Sequence, residues 1–75
     1  MSQNKRVLDF MREHKRGITQ DDCEYNMRPR IKRLASRIHD LRSLGHEIYS
    51  EMEKRGDVRY SRYTLIKENP NARIR

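Results

Sequence analysis

Six basic side chains, Arg28, Arg30, Lys32, Arg33, Arg37 and Arg42, fall between positions 28 and 45, against a single acid, Asp40. They leave +5 in this stretch, most of the formal +7 carried by all 75 residues. Guanidinium and ammonium groups gathered this densely can hold phosphates, and an arginine fork can also pair with the edge of guanine. The chemistry on offer is recognition of a polyanion, nucleic acid first and an anionic membrane surface second.

Other chemistries are poorly served. His14, His39 and His46 lack the close spacing of zinc ligands, and Cys23 is the one cysteine, so neither a metal nor another cofactor is expected. Cys23 fits a small core position, and a lone cysteine forms no internal disulfide, as in a reducing compartment. Glu47, Glu51 and Glu53 alternate on an expected strand facing solvent, with no nucleophile beside them, so the chain is not expected to be an enzyme. No apolar run approaches the roughly 20 residues needed to cross a bilayer, and the N-terminus lacks the apolar centre of a signal peptide. A cytoplasmic protein with no membrane partner is expected.

The elements that must position the cations can be read from periodicity. Apolar residues are 33% of the chain and charged residues 39%, so one modest core is all it can enclose. Residues 4 to 14 place Val7, Leu8 and Met11 on one helical arc with Phe10 and His14 at its edge, and Gly17 follows the stop. Thr19 with Asp22 three residues on forms a capping box, with Ile18 and Cys23 as the flanking staple, which predicts a short second helix over about 20 to 26. Pro29 breaks it, and a third helix is expected from Pro29 or just after to Gly45, with Ile31, Leu34, Ala35, Ile38 and Leu41 on its buried stripe.

On that helix Lys32, Arg33, Ser36, His39, Asp40 and Ser43 point away from the stripe, with Arg37 on one flank. Arg42 lies close to the stripe, its stem expected to cover the core and its charge to reach a carboxylate of the wing or of helix one. After Gly45, HEIYSEME and VRYSRYTLI read as two strands joined at Arg55-Gly56-Asp57, with Ile48 and Met52 turned one way and Tyr63 closing onto the helices. The expected fold is mainly α with a β-hairpin: a winged helix-turn-helix of three helices and a two-stranded wing over residues 1–66, then a flexible basic tail over 67–75.

In this layout residues at the start of helix three reach base edges, which makes Arg30, Lys32, Arg33 and Ser36 the base-reading candidates, with Arg37 at their margin. Lys15, Arg16, Lys54, Arg55 and Arg59 are the phosphate-binding candidates, with Thr19 and helix two bracing the domain on the backbone. The partner expected is double-stranded DNA. A domain this small has little contact area, which favours a homodimer or a cooperative oligomer on DNA. Tyr49, Tyr60 and Tyr63 raise the alternative of stacking on single strands.

The run RLASRIHDLRSLGHEI, Arg33 to Ile48, preceded by GITQ at Gly17 to Gln20 and followed by SRYTL at Ser61 to Leu65, resembles the small winged helix-turn-helix domains encoded by bacteriophages and prophages. The family pattern matches at Arg33, Leu34, Ala35, Arg37, Ile38, Leu41, Arg42, Gly45, His46 and Ile48, and the resemblance covers roughly residues 4 to 66. It implies DNA binding in transcription control, as by a repressor, or as an excisionase-like recombination accessory, in a bacterial host cytoplasm. It also implies that Arg33, Arg37 and Arg42 serve scaffold or phosphates, leaving specificity to Arg28, Arg30, Lys32 and Ser36. The chain departs from the pattern in its more polar second helix and in the proline between two arginines. A rival reading is a small adaptor of the same fold that binds a host protein such as polymerase or a nuclease.

Overall fold

The computed structural model describes residues 2–72 in the order α1 (Gln3–Glu13), α2 (Gln20–Asn26), α3 (Leu34–Ser43), β1 (Glu47–Arg55) and β2 (Val58–Lys67). This is a three-helix unit followed by an antiparallel two-stranded wing. The Ser2 hydroxyl caps α1 by accepting the Lys5 N–H at 3.1 Å, and Val7, Leu8 and Met11 are buried as their spacing predicts. The capping box at α2 is complete: Thr19 Oγ1 accepts from the Asp22 N–H at 3.2 Å, and Asp22 Oδ2 from the Thr19 N–H at 2.9 Å. Ile18 before the cap and Cys23 after it are both fully buried in the core.

Between α1 and α2 the chain runs beside the wing. Ile18 and Tyr63 exchange two backbone hydrogen bonds of 2.8 Å, a one-residue extension of the sheet that fixes the wing to the helices. Gly17 allows this approach. Its φ is +98°, and a Cβ there would lie 2.7 Å from Thr64 Oγ1 and 2.9 Å from the Tyr63 carbonyl oxygen. Tyr63 and Leu65 are half-buried against the core from the wing side.

The third helix departs from expectation. It begins at Leu34, not at Pro29, and residues 27–33 form a loop that contains a cis Arg28-Pro29 bond. Arg33 adopts the left-handed conformation (φ 58°, ψ 57°), which ends any helical run from Ile31. Ile31 is nevertheless fully buried, so a loop residue occupies the place in the apolar stripe that the 3.6-residue period assigned to a helix. Leu34, Ile38 and Leu41 are buried as expected, whereas Ala35 is exposed.

The wing has a two-residue connection, Gly56-Asp57, between the paired Arg55 and Val58. Gly56 takes a positive φ of +59° at the first central position, as a type II′ turn requires. Ile48 is buried but Met52, expected beside it on the same face, lies beyond the core and is exposed. Glu53, expected to face solvent freely, is half-buried and paired with Arg62 at 3.0 Å.

The expected tail is fastened for part of its length. Lys67 ends β2, Glu68 pairs with Arg12 at 2.6 Å, and Asn69 donates from its backbone to His46 Nδ1 at 3.1 Å and from its side chain to the Leu44 carbonyl at 2.9 Å. Residues 73–75, including Ile74, lie outside the described residues.

Candidate nucleic-acid interface

The surface of α3 is built differently from the sequence expectation. Successive helical positions turn by about 100°, so burial of Leu34, Ile38 and Leu41 sets Ser36, His39 and Ser43 opposite the core with Ala35 beside them. All four are exposed. The outward face is therefore small and carries no arginine. Arg37 lies on the flank towards α1, where Nη2 pairs with Asp40 at 3.1 Å, and Asn4 of α1 reaches the same carboxylate at 3.5 Å. Arg42 lies on the flank towards the wing, where Nη2 and Nε donate to the Ile48 carbonyl at 2.8 and 3.2 Å. The expected carboxylate partner of Arg42 is thus a backbone carbonyl, and its role is to join α3 to β1.

The remaining cations of the stretch stand on the loop before α3. Arg28 is committed to α2, donating to the carbonyls of Glu24 at 3.0 Å and Met27 at 2.9 Å, where the helix leaves its last acceptors unfilled. Arg30, Lys32 and Arg33 are exposed and make no side-chain hydrogen bond or ion pair with the described residues. The base-reading candidates are thereby separated: Ser36 sits on the first turn of α3, Arg33 at its cap, and Arg28, Arg30 and Lys32 on the loop.

Gln20 places that loop. Its Nε2 donates to the Ile31 carbonyl and its Oε1 accepts the Leu34 N–H, each at 2.8 Å. Arg33 supplies no side-chain cap, so a residue at the start of α2 caps α3. Arg6 of α1 donates to the Pro29 carbonyl and holds the far end of the loop. Sequence reasoning missed the Gln20 role because a cap is ordinarily sought within a residue or two of the helix start. The Gln in GITQ was the available signal.

The wing faces α3 with a pair of like charges. Directly opposed residues of an antiparallel pair share a face, so the face that buries Ile48 and carries Leu65 and Tyr63 continues through Met52 and Ser61 to Lys54 and Arg59. Arg59, Ser61 and Tyr63 line one cleft with Leu34 and Ala35, which brings this face against the start of α3. Lys54 and Arg59 are exposed, lie side by side across the strands, and make no ion pair with the described residues. Such a pair opposes folding and favours an anionic partner. Arg55, opposite Val58, is on the other face.

The phosphate candidates behind the helices fare unequally. Lys15 and Arg16 are exposed in the turn after α1. Thr19 is buried, and its hydroxyl oxygen accepts the Asp22 N–H in the capping box that starts α2. The outward residues of α2, Asp21, Glu24 and Tyr25, are two acids and a tyrosine that is 77% exposed, a surface that repels a phosphate backbone. Burial, with the charges of Asp22 and Glu24, pushes the Cys23 thiol up to about 11, which leaves it an inert core residue.

Comparison with known families matches residues 2–68 to the winged helix-turn-helix domain. The chain belongs to that family. No curated protein and no solved structure matches it. For a winged helix-turn-helix chain, membership implies DNA binding, and the helix order and hairpin described above are the family architecture. No helix among the described residues is long and apolar enough to cross a membrane.

Proposed function

We propose that this winged helix-turn-helix chain binds double-stranded DNA with the Ala35, Ser36, His39 and Ser43 face of α3 in the major groove. Arg30, Lys32 and Arg33 hold the backbone on one side and Lys54 and Arg59 hold it on the other. The observation that carries this reading is the uncharged outward face of α3 framed by cations that have no partner among the described residues. Short side chains let a helix approach base edges closely, while lysine and arginine at the margins release counterions from phosphates. Arg28, Arg37 and Thr19 pass from direct DNA contact to support of the loop and helices.

Sequence-selective binding by so small a module favours a homodimer or cooperative assembly on DNA, in transcription control or as a recombination accessory. The pattern of residues 33–48 supports an origin in a phage or prophage, with action in the host cytoplasm. The acidic and aromatic surface of α2 favours a protein contact on that side, with a host protein or a neighbouring copy, alongside DNA binding.

The test is binding to a random duplex pool enriched by selection, followed by fluorescence anisotropy at two salt concentrations with single-stranded and RNA controls. One duplex motif bound well above the controls, with affinity falling steeply as salt rises, is the expected result. Weak binding of every nucleic acid with no motif would turn the assignment to the protein-partner role.

A further inference from the structure

We infer that the outer edge of β1 pairs with itself: two copies of the chain join antiparallel about Met52 and merge their wings into one four-stranded sheet. This rests on the assembly reading given above and names its interface.

The two strands of the wing are covered unequally. β2 pairs with β1 on one side, and on the other Tyr63 gives its N–H and its carbonyl to Ile18, each at 2.8 Å. Tyr63 stands opposite Ser50, so these two residues do not bond each other, and the backbone groups of Ser50 also point away from β2. Backbone direction repeats at every second residue, which turns Ile48, Met52 and Lys54 the same way. The turn agrees, because a two-residue connection makes Arg55 and Val58 a bonded pair and leaves Lys54 outward. Arg42 fills the Ile48 carbonyl at 2.8 Å and so ends the open edge on that side. Ser50, Met52 and Lys54 are exposed, and their outward N–H and carbonyl groups have no partner among the described residues. Natural sheets blunt such an edge with a proline or a bulge, yet β1 has no proline and pairs regularly from Ile48 to Arg55.

The occupant that matches this edge is a second copy of it. Antiparallel pairing about a two-fold axis at Met52 sets Ser50 against the partner's Lys54 and Met52 against the partner's Met52. Every open group of both strands is then used, and Ile48 with its Arg42 cover stays outside. Sliding one register step in one direction aims Lys54 at the covered Ile48, and in the other direction leaves Ser50 unpaired. On the face that carries Lys54 and Arg59, the two Met52 side chains, each 64% exposed in the single chain, cover one another, and Lys54 lies beside a serine. On the opposite face Tyr49 lies against the partner's Arg55, a ring against a guanidinium. Glu51 meets the partner's Glu53 there. Arg62, paired with Glu53 at 3.0 Å and standing opposite Glu51, offsets that repulsion. The axis runs through the sheet, so both Lys54–Arg59 pairs face the same side and one duplex can meet both copies at an inverted repeat. A short backbone ladder with one methionine contact is a small interface, which a duplex strengthens by holding two copies together.

The experiment follows the full chain by sedimentation equilibrium, free and with a selected duplex, and by hydrogen exchange of its amides at rising concentration, beside Met52→Pro and Met52→Ala. Proline at this position removes an N–H that β2 does not use, so circular dichroism should show the fold retained while self-association weakens by about tenfold or more. Alanine keeps the N–H and should weaken it less. Two copies per duplex are expected, with the Ser50, Met52 and Lys54 amides slowing together as the chain associates, a readout independent of how Met52→Pro folds. Unchanged self-association in a folded Met52→Pro chain, or amides at these three positions that stay fast in the associated chain, would overturn the inference. A chain that binds its duplex as a single copy would overturn it and leave the groove-binding role standing, whereas edge pairing with no duplex binding would keep it and overturn that role.

Discussion

Gln20 and Leu34 are fourteen positions apart in the chain, yet the amide oxygen of Gln20 receives the N–H that opens α3 at 2.8 Å. The same side chain donates to the Ile31 carbonyl, so the first residue of α2 determines where α3 begins. The relative setting of the two helices, and with it the direction in which Ser36 and His39 point, depends on one amide.

Gln20→Ala should destabilise the domain by about 1–2 kcal/mol, the cost of an absent cap and an unsatisfied carbonyl. Gln20→Glu should recover only part, because it keeps the acceptor for Leu34 but places a carboxylate against the Ile31 oxygen. Urea denaturation checks both. Equal stability of all three chains would mean that α3 is started by the loop itself.

Gly17 and Gly56 both have positive φ but differ in surroundings. Gly17→Ala drives a methyl into Thr64 and the Tyr63 carbonyl and should cost about 2–4 kcal/mol, conformational strain and overpacking together. Gly56→Ala meets nothing within 4 Å and should cost only the conformational part, about 1 kcal/mol. Thermal or urea unfolding of the two variants gives the ranking, and a reversal would contradict the close approach of the α1–α2 connection to β2.

Sequence patterning recovers those parts of the fold governed by local rules. The capping box of α2, the arc of Val7, Leu8 and Met11, and the turn at Gly56-Asp57 depend on neighbours within a few residues. The start of α3 escapes such rules. Ile31 keeps helical spacing with Leu34 while lying in a loop, Arg33 carries no sign that it takes φ 58°, and the cap comes from α2. Ala35 fits the apolar stripe by type but faces the cleft beside the wing. The hold on Glu68 and Asn69 leaves no periodicity, because it is made by Arg12, His46 and Leu44 from elsewhere in the chain. At the site, clustering of arginine in sequence was legible, but its division among Arg28 on α2, Arg37 on Asp40, Arg42 on Ile48 and the unpaired loop was not.

Two carboxylates couple the fold to pH. Hydrogen bonding by Arg12 holds the Glu68 carboxyl below its usual range, and hydrogen bonding by Arg62, then Tyr60, does the same for Glu53. A carboxyl lowered in the folded state contributes stability above its unfolded value, about pH 4.3, and loses that contribution as pH falls through the folded value. Stability should therefore decline on acidification below about pH 4.5. Glu68→Gln should weaken that decline and cost at most about 1 kcal/mol at neutral pH, since the pair is largely in solvent. Urea midpoints between pH 3 and 7 check it. An identical acid profile in Glu68→Gln would contradict the contribution of the Arg12 pair.

In the DNA-binding mode proposed above, the duplex meets the α3 face and the Lys54–Arg59 side of the wing. Amide chemical-shift mapping during titration with a selected duplex tests it most directly. The largest shifts are expected at Ala35, Ser36, His39, Lys54 and Arg59 and at the Arg30 to Arg33 loop, with Asp21, Glu24 and Tyr25 of α2 almost unmoved. Shifts concentrated on α2, with α3 and the wing unchanged, would contradict it.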